Sequence, residues 1–322
     1  EVPMRNVRRL ALGASILASL AMVGTAGGGA IVAAQDQPTI RIGSDGYYVS
    51  QLMAESYAQA LEAEGVGVER QLAIGARPAR VEAFESGQID LVPEYVGSGL
   101  GFYTVGAEDP DLAVIEVTGD GETNRANLQQ ALDVAGVEAT VLAITAGEDT
   151  NAAVVRGETA EELGVSSISE LAGVADQVTF GLPPECEVNA LCRGALEDGY
   201  GIAWPPAQLE LLPPCGAEMA GALEGQAIDV AWLCSTQPII AKNGWVVLED
   251  DLDTQPAENL APIVRNDLAE QIDGGADALA AILDPISAAV TTDVLTDLGA
   301  RVAIDQEDIE DGAAECLAGL AE

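Results

Sequence analysis

Histidine is absent from the 322 residues, lysine occurs once, at Lys242, and aromatic side chains make up only 4% of the chain. Each shortage removes a class of function. Without imidazole there is no Ser-His-Asp or Cys-His nucleophile pair, and no spacing of the remaining ligand types fits a four-ligand zinc site. Basic residues number 13 against 53 acidic, a formal net charge of −40. Nucleic acid is excluded as a partner, because a phosphate backbone needs a basic footprint that can release counterions. Asp109, Asp111, Asp120 and Glu122 give residues 107–127 an acidic bias, yet EF-hand spacing is missing. Neither a cofactor nor a metal is expected. The acidic excess destabilises a compact fold by self-repulsion unless salt screens it, so it reflects either a high-salt habitat or a compositional habit of the source genome.

What is present is enough apolar residue, 48% and mostly Ala, Val, Leu and Ile, to bury a large core, and a length suited to two lobes. Arg5, Arg8 and Arg9 precede an apolar run from Leu10 to Val23, then a Gly-rich stretch, then Val32, Ala33 and Ala34. This pattern predicts an export signal over residues 1–34, cut after Ala34, with an uncleaved membrane tether as the alternative. Five cysteines in an exported chain invite disulfides. Cys186 and Cys192 enclose a short loop that one bridge can close. Cys215 and Cys234 are the second candidate pair, with Cys316 left over.

The stretch from Phe84 to Ser98 organises the rest. Gly87 supplies the positive φ that stops a helix starting near Ala79, after a loop at Gly75 to Pro78. Ile89 to Val92 reads as a strand ended by Pro93. Glu94, Tyr95, Gly97 and Ser98 then stand at a carboxyl edge, where open α/β sheets bind ligands. Glu224 to Ala231 repeats the order of Glu85 to Val92, with Glu and Ile four apart in both. Two such units predict two similar lobes with a cleft between them. The chain crosses at Thr145 to Asn151 and returns at Ser235 and Thr236, giving lobe one as 35–142 with 236–322 and lobe two as 143–235. Further expectations are a helix from Leu128 to Ala135 and an N-cap at Ser169.

The residues Gly43, Ser44, Tyr47 and Gln51, the run Tyr57 to Glu62, and the segments Gly87 to Asp90 and Pro93 to Ser98 together resemble the ABC-transporter solute-binding proteins for glycine betaine, choline and related osmoprotectants. Ser169 to Leu171, Pro183 to Cys186, Ser235 with Thr236, Val247 to Asp251 and Gln255 to Asn259 extend the similarity over nearly all of residues 39–320. The resemblance implies an α/β, two-lobed type II periplasmic-binding fold that closes on a small solute by hinge motion and delivers it to a membrane permease, as a monomer. It implies aromatic rings around a quaternary ammonium group, with Tyr95 matching one ring and Ser98 a hydroxyl contact. Ser44, Asp45, Tyr47, Gln51, Asn151, Thr236 and Glu258 complete the candidate ligand-binding set. The chain departs from the family pattern at several places. Asp45 stands where a loop lysine is common, Asn189 near the carboxylate-holding arginine, and Ala153, Cys234 and Glu258 near further ring positions. With Asp45, Glu94 and Glu258 around it and few basic groups, the cleft is expected to prefer choline or an amine over a zwitterion.

Two other function classes compete. A secreted hydrolase would use Glu94 and Glu258 as an acid and base pair, and a sensory domain would keep the N-terminal segment as its tether.

Overall fold

The computed structural model describes residues 38–203, 206–213 and 215–319, so the expected export signal and Trp204 lie outside the described residues. Ten strands form two five-stranded sheets. The first contains β1 (Ile40–Gly43), β2 (Val68–Gln71), β3 (Leu91–Tyr95), β4 (Ala139–Val141) and β10 (Leu260–Arg265). The second contains β5 (Asn151–Val155), β6 (Phe180–Leu182), β7 (Leu209–Leu211), β8 (Val230–Cys234) and β9 (Val246–Val247). Their orders, β2-β1-β3-β10-β4 and β7-β6-β8-β5-β9, are the same pattern. In each, three parallel strands meet an antiparallel fourth, β10 or β5, which sits beside the strand of the repeated sequence unit. The second sheet takes in Val246–Val247, beyond residue 235.

Helices cover both faces of each sheet. Before the first crossing come α1 (Tyr48–Ala63), α2 (Arg77–Glu85), α3 (Val96–Thr104), α4 (Pro110–Ala113) and α5 (Gly121–Ala135); then α6 (Gly157–Leu163), α7 (Ile168–Ala172) and α8 (Ala217–Glu224). The chain ends in α9 (Pro238–Asn243), α10 (Asn266–Ala269), α11 (Gly275–Ala289), α12 (Thr292–Ala303) and α13 (Ile309–Gly319). On one side of the first sheet Ile40, Ile42 and Leu91 pack with Leu52, Leu283 and Leu295. On the other, Val92 and Ile263 meet Phe84, Leu100 and Leu128. Such alternation along a strand is what a sheet buried on both faces requires. Among the described residues no single helix is long and apolar enough to cross a membrane.

Three local expectations need correction. Pro93 does not end its strand: β3 continues to Tyr95, and Pro93 lies opposite Pro262 of β10. The bonds Val96 N–H to Asn259 and Arg265 N–H to Asp90 set the ladder's phase, which makes 93 and 262 a non-hydrogen-bonded pair. Neither ring therefore interrupts the bonds between these two strands. The helix expected at Leu128 starts at Gly121, because the Asp120 carboxylate accepts from the Thr123 N–H and caps it. The cap of α7 is Ser167, whose hydroxyl accepts from Glu170 N–H, rather than Ser169. Both expected bridges form, Cys186–Cys192 and Cys215–Cys234, while Cys316 is free and buried.

Candidate functional site

The loop after β1 and the end of β3 are neighbours because these strands are parallel and adjacent, so their carboxyl ends emerge together. That places Tyr47 against Tyr95, ring centroids 5.9 Å apart and tilted by 46°. Around the rings lies a buried polar cluster. The Tyr47 hydroxyl donates to Asp45 at 3.0 Å. Ser50 accepts the Asp45 N–H at 3.0 Å, and the Ser44 hydroxyl accepts the Ala73 N–H, fixing the loop. Gln51 turns to the same loop, its amide donating to the Gly46 carbonyl at 3.0 Å.

Two arginines complete the cluster, and they overturn the expectation of a cleft with few basic groups. Because α2 begins at Arg77 rather than near Ala79, Arg77 and Arg80 both point at the end of β3. Arg80, only 3% exposed, pairs with Glu94 and, at 3.4 Å, with Asp45. Arg77 donates to Glu94 at 3.1 Å and to the Ser98 hydroxyl at 2.7 Å. Burial works to raise the Glu94 carboxyl, and the Arg77 and Arg80 charges together outweigh it, holding Glu94 below the usual range. For Asp45 the balance reverses: burial outweighs Arg80, and Glu94 adds repulsion, so its carboxyl is raised. Asp45 and Glu94 are thus compensated within the protein and do not present two bare charges to a cation.

Glu258 comes from the segment entering β10 and reaches α3. Its Oε2 accepts from both the backbone N–H and the hydroxyl of Ser98, at 3.1 and 3.2 Å. Its Oε1 is buried without a hydrogen-bond partner. Burial pushes this carboxyl up to about 8, against the Ser98 bonds and the Arg77 charge.

Asp149 joins the site to both crossing segments. It accepts from the Tyr95 hydroxyl at 2.8 Å with one oxygen and from the Thr236 hydroxyl at 2.6 Å with the other. Beside it, Thr150 and Ser235 exchange hydrogen bonds, and the Asp149 N–H donates to the Glu258 carbonyl at 3.1 Å. No arginine or lysine pairs with Asp149 among the described residues, and burial raises its carboxyl despite the Thr236 and Tyr95 bonds. Thr236 therefore meets Tyr95 through Asp149. Asn151 stands apart, on the strand β5, lining a groove of about 650 Å³ with Ala153, Leu248, Gln255 and Ala257.

The structure thus gathers Ser44, Asp45, Tyr47, Tyr95, Ser98, Thr236 and Glu258 around one cluster. Sequence reasoning missed Arg77, Arg80 as site residues. The available signal was their spacing of three, which puts both on one face once the helix is started at Arg77.

A model of the family described as the substrate binding domain of ABC-type glycine betaine transport systems matches residues 38–319. The chain belongs to this family. It is 27% identical over 288 residues to the glycine-betaine-binding protein of Pseudomonas aeruginosa, covering 87% of each chain. It is 25% identical over 286 residues to the glycine betaine-binding protein YehZ of Escherichia coli, covering 86% of this chain and 89% of that one. A solved structure titled as a glycine betaine/carnitine/choline ABC transporter superposes with a TM-score of 0.69 at 18% identity, over 87% of this chain and 98% of the other. That likeness establishes the type II periplasmic-binding fold, and the family is one of solute-binding proteins.

Proposed function

We propose that the chain captures a quaternary-ammonium osmolyte of the glycine betaine and choline type outside the cytoplasmic membrane and delivers it, as a monomer, to an ABC permease. The observation that carries this reading is the Tyr47 and Tyr95 ring pair at adjacent strand ends, 5.9 Å apart. Ring faces attract a cation that cannot donate hydrogen bonds, and few other aromatic residues exist in this chain to do so. The names of the two curated relatives support the same ligand class. Ser44 and Gln51 serve the reading by holding the loop that carries Tyr47, Ser98 and Glu258 by bonding each other beside Arg77, and Thr236 by fixing Tyr95 through Asp149. Asn151 is assigned to the facing lobe.

We draw lobe one as 35–142 with 236–322 and lobe two as 143–235, with β9 rejoining the second sheet, and we read residues 1–34 as the export signal. The chain is read as a binder without catalysis: Glu94 is neutralised by Arg77 and Arg80, which unsuits it as a proton carrier for hydrolysis.

Calorimetric titration with glycine betaine, choline, carnitine and proline tests the proposal. Saturable binding of a quaternary ammonium compound is expected, weakened about tenfold by Tyr47→Ala, in keeping with roughly 1–2 kcal/mol for a desolvated cation and ring contact. Absence of binding by all four ligands, or chemical turnover of any of them, would refute it.

A further inference from the structure

Among the described residues no arginine reaches Glu258 or Asp149 within ion-pair distance, and of these two carboxyls only Asp149 has both oxygens hydrogen-bonded. Glu258 is 2% exposed, and its two oxygens have unlike surroundings. Oε2 is taken by two donors from Ser98, which fits a carbonyl-type acceptor. Oε1 has no partner at all. A buried polar atom left in that state costs about 1–3 kcal/mol, a cost that a ligand group bonding it would remove.

The charges around Glu258 decide which state the carboxyl holds. From α2 comes Arg77, which is shared with Glu94 and Ser98, and from β3 comes Glu94, which repels a second negative charge. Arg80 and Asp45 lie beyond Glu94 and close the same ion-pair network. From the crossing segment Asp149 contributes its N–H to the Glu258 carbonyl and its own carboxyl to Tyr95 and Thr236, while the Glu148 backbone bridges that of Asn259. Ionising Glu258 would add a third carboxylate to a buried network whose two arginines are already committed. That cost favours the neutral carboxyl, and with Oε2 taken by two donors the oxygen free to carry the proton is Oε1.

We propose that Glu258 is a specificity-determining residue whose Oε1–H donates to a carboxylate on the ligand, so that the site selects a zwitterionic betaine over choline. This deepens the reading above and rests on it. It also reverses the preference that the acidic residues suggest when counted without their partners. A neutral acid binds an anionic oxygen only while it keeps its proton.

The test is calorimetric titration of glycine betaine and of choline, separately, from pH 6 to 9.5 at fixed salt. If only protonated Glu258 accepts the ligand, betaine affinity holds to about pH 8 and then falls up to about tenfold per pH unit. Choline affinity rises over the same range, because an ionised Glu258 attracts its cation. Near pH 8 betaine binding takes up about half a proton, read from titrations in buffers of different ionisation enthalpy. Glu258→Gln keeps an N–H donor, so its betaine affinity at pH 7 stays within about threefold and becomes flat with pH. Betaine affinity that is flat or rising in the wild-type chain, or a Glu258→Gln variant that keeps the wild-type fall, overturns the inference while the proposed function stands. Failure of both ligands to bind at every pH defeats the proposed function and the inference with it.

Discussion

The two repeated units solve the same mechanical problem with different chemistry. In each, the helix runs into a tight turn and then a strand, and the turn is built identically: Gln88 and Ile89 N–H groups bond the Ala83 carbonyl, as Ala227 and Ile228 bond Ala222. Asp90 accepts from Arg41 of β1, while Asp229 accepts from Thr179, just before β6, and from Arg156. An arginine leaving the antiparallel strand donates to the helix's last carbonyls in both, Arg265 to Phe84 and Arg156 to Leu223. Even the glycines agree, since a Cβ at Gly43 would collide with Ile89 and one at Gly181 with Ile228. The units part company where helix start meets strand end. In the first, Arg77 and Arg80 of α2 are tied to Glu94 of β3 by ion pairs. In the second, Cys215, just before α8, is tied to Cys234 of β8 by a disulfide. This end of the first sheet is polar and titratable, and the matching end of the second is covalently fixed.

Breaking the ionic tie has the larger expected effect. Glu94→Gln leaves the buried Arg80 and the half-buried Arg77 without their main partner and lowers unfolding free energy by about 3 kcal/mol, measured by urea denaturation. Its pH signature has a definite sign. Glu94 titrates lower folded than unfolded, so its stabilisation is complete above the ordinary carboxylate range and is lost as pH falls through the folded value. The variant consequently loses part of the wild-type stability slope on the acid side. Removing the covalent tie, by Cys215→Ser with Cys234→Ser, opens a link spanning 19 residues and costs about 3 kcal/mol or slightly less in thermal or urea unfolding. That loss shows no matching acid-side slope, which separates the two kinds of tie.

Much of this arrangement can be read from residue order, and the limits are specific. The spacing of Glu85 to Val92 and Glu224 to Ala231 reveals the paired lobes, because a turn of fixed geometry needs its residues at fixed offsets. The cysteines pair as their positions suggest. Arg77 and Arg80 are only half legible for a physical reason: their spacing of three marks a shared helix face, but a count of 13 basic residues says nothing about where that face points. Pro93 misleads because the hydrogen-bonding phase of a strand is set by its neighbour, here β10 from the far end of the sequence. Tyr95 is legible as an aromatic at a strand end, whereas its bond to Asp149 depends on two segments meeting only in the folded chain.

The smallest effect sharpens the comparison at the turn itself. Position 87 is glycine with φ +72°, and its counterpart is Gln226 with φ +60°, a left-handed conformation that a side chain disfavours. Gln226→Gly relieves that strain at some cost in unfolded-chain entropy and raises stability by about 0.5 kcal/mol in the same urea assay.

The position of β10 inside the first sheet, between β3 and β4, governs the timing of assembly. A polypeptide that emerges from its N-terminus exposes all five strands of the second sheet by Val247, but the first sheet still lacks an interior strand until Arg265 has appeared. The lobe that comes first in sequence is thus the last that can close, and its early strands must wait, with an unpaired edge at β3, for a partner made long after them.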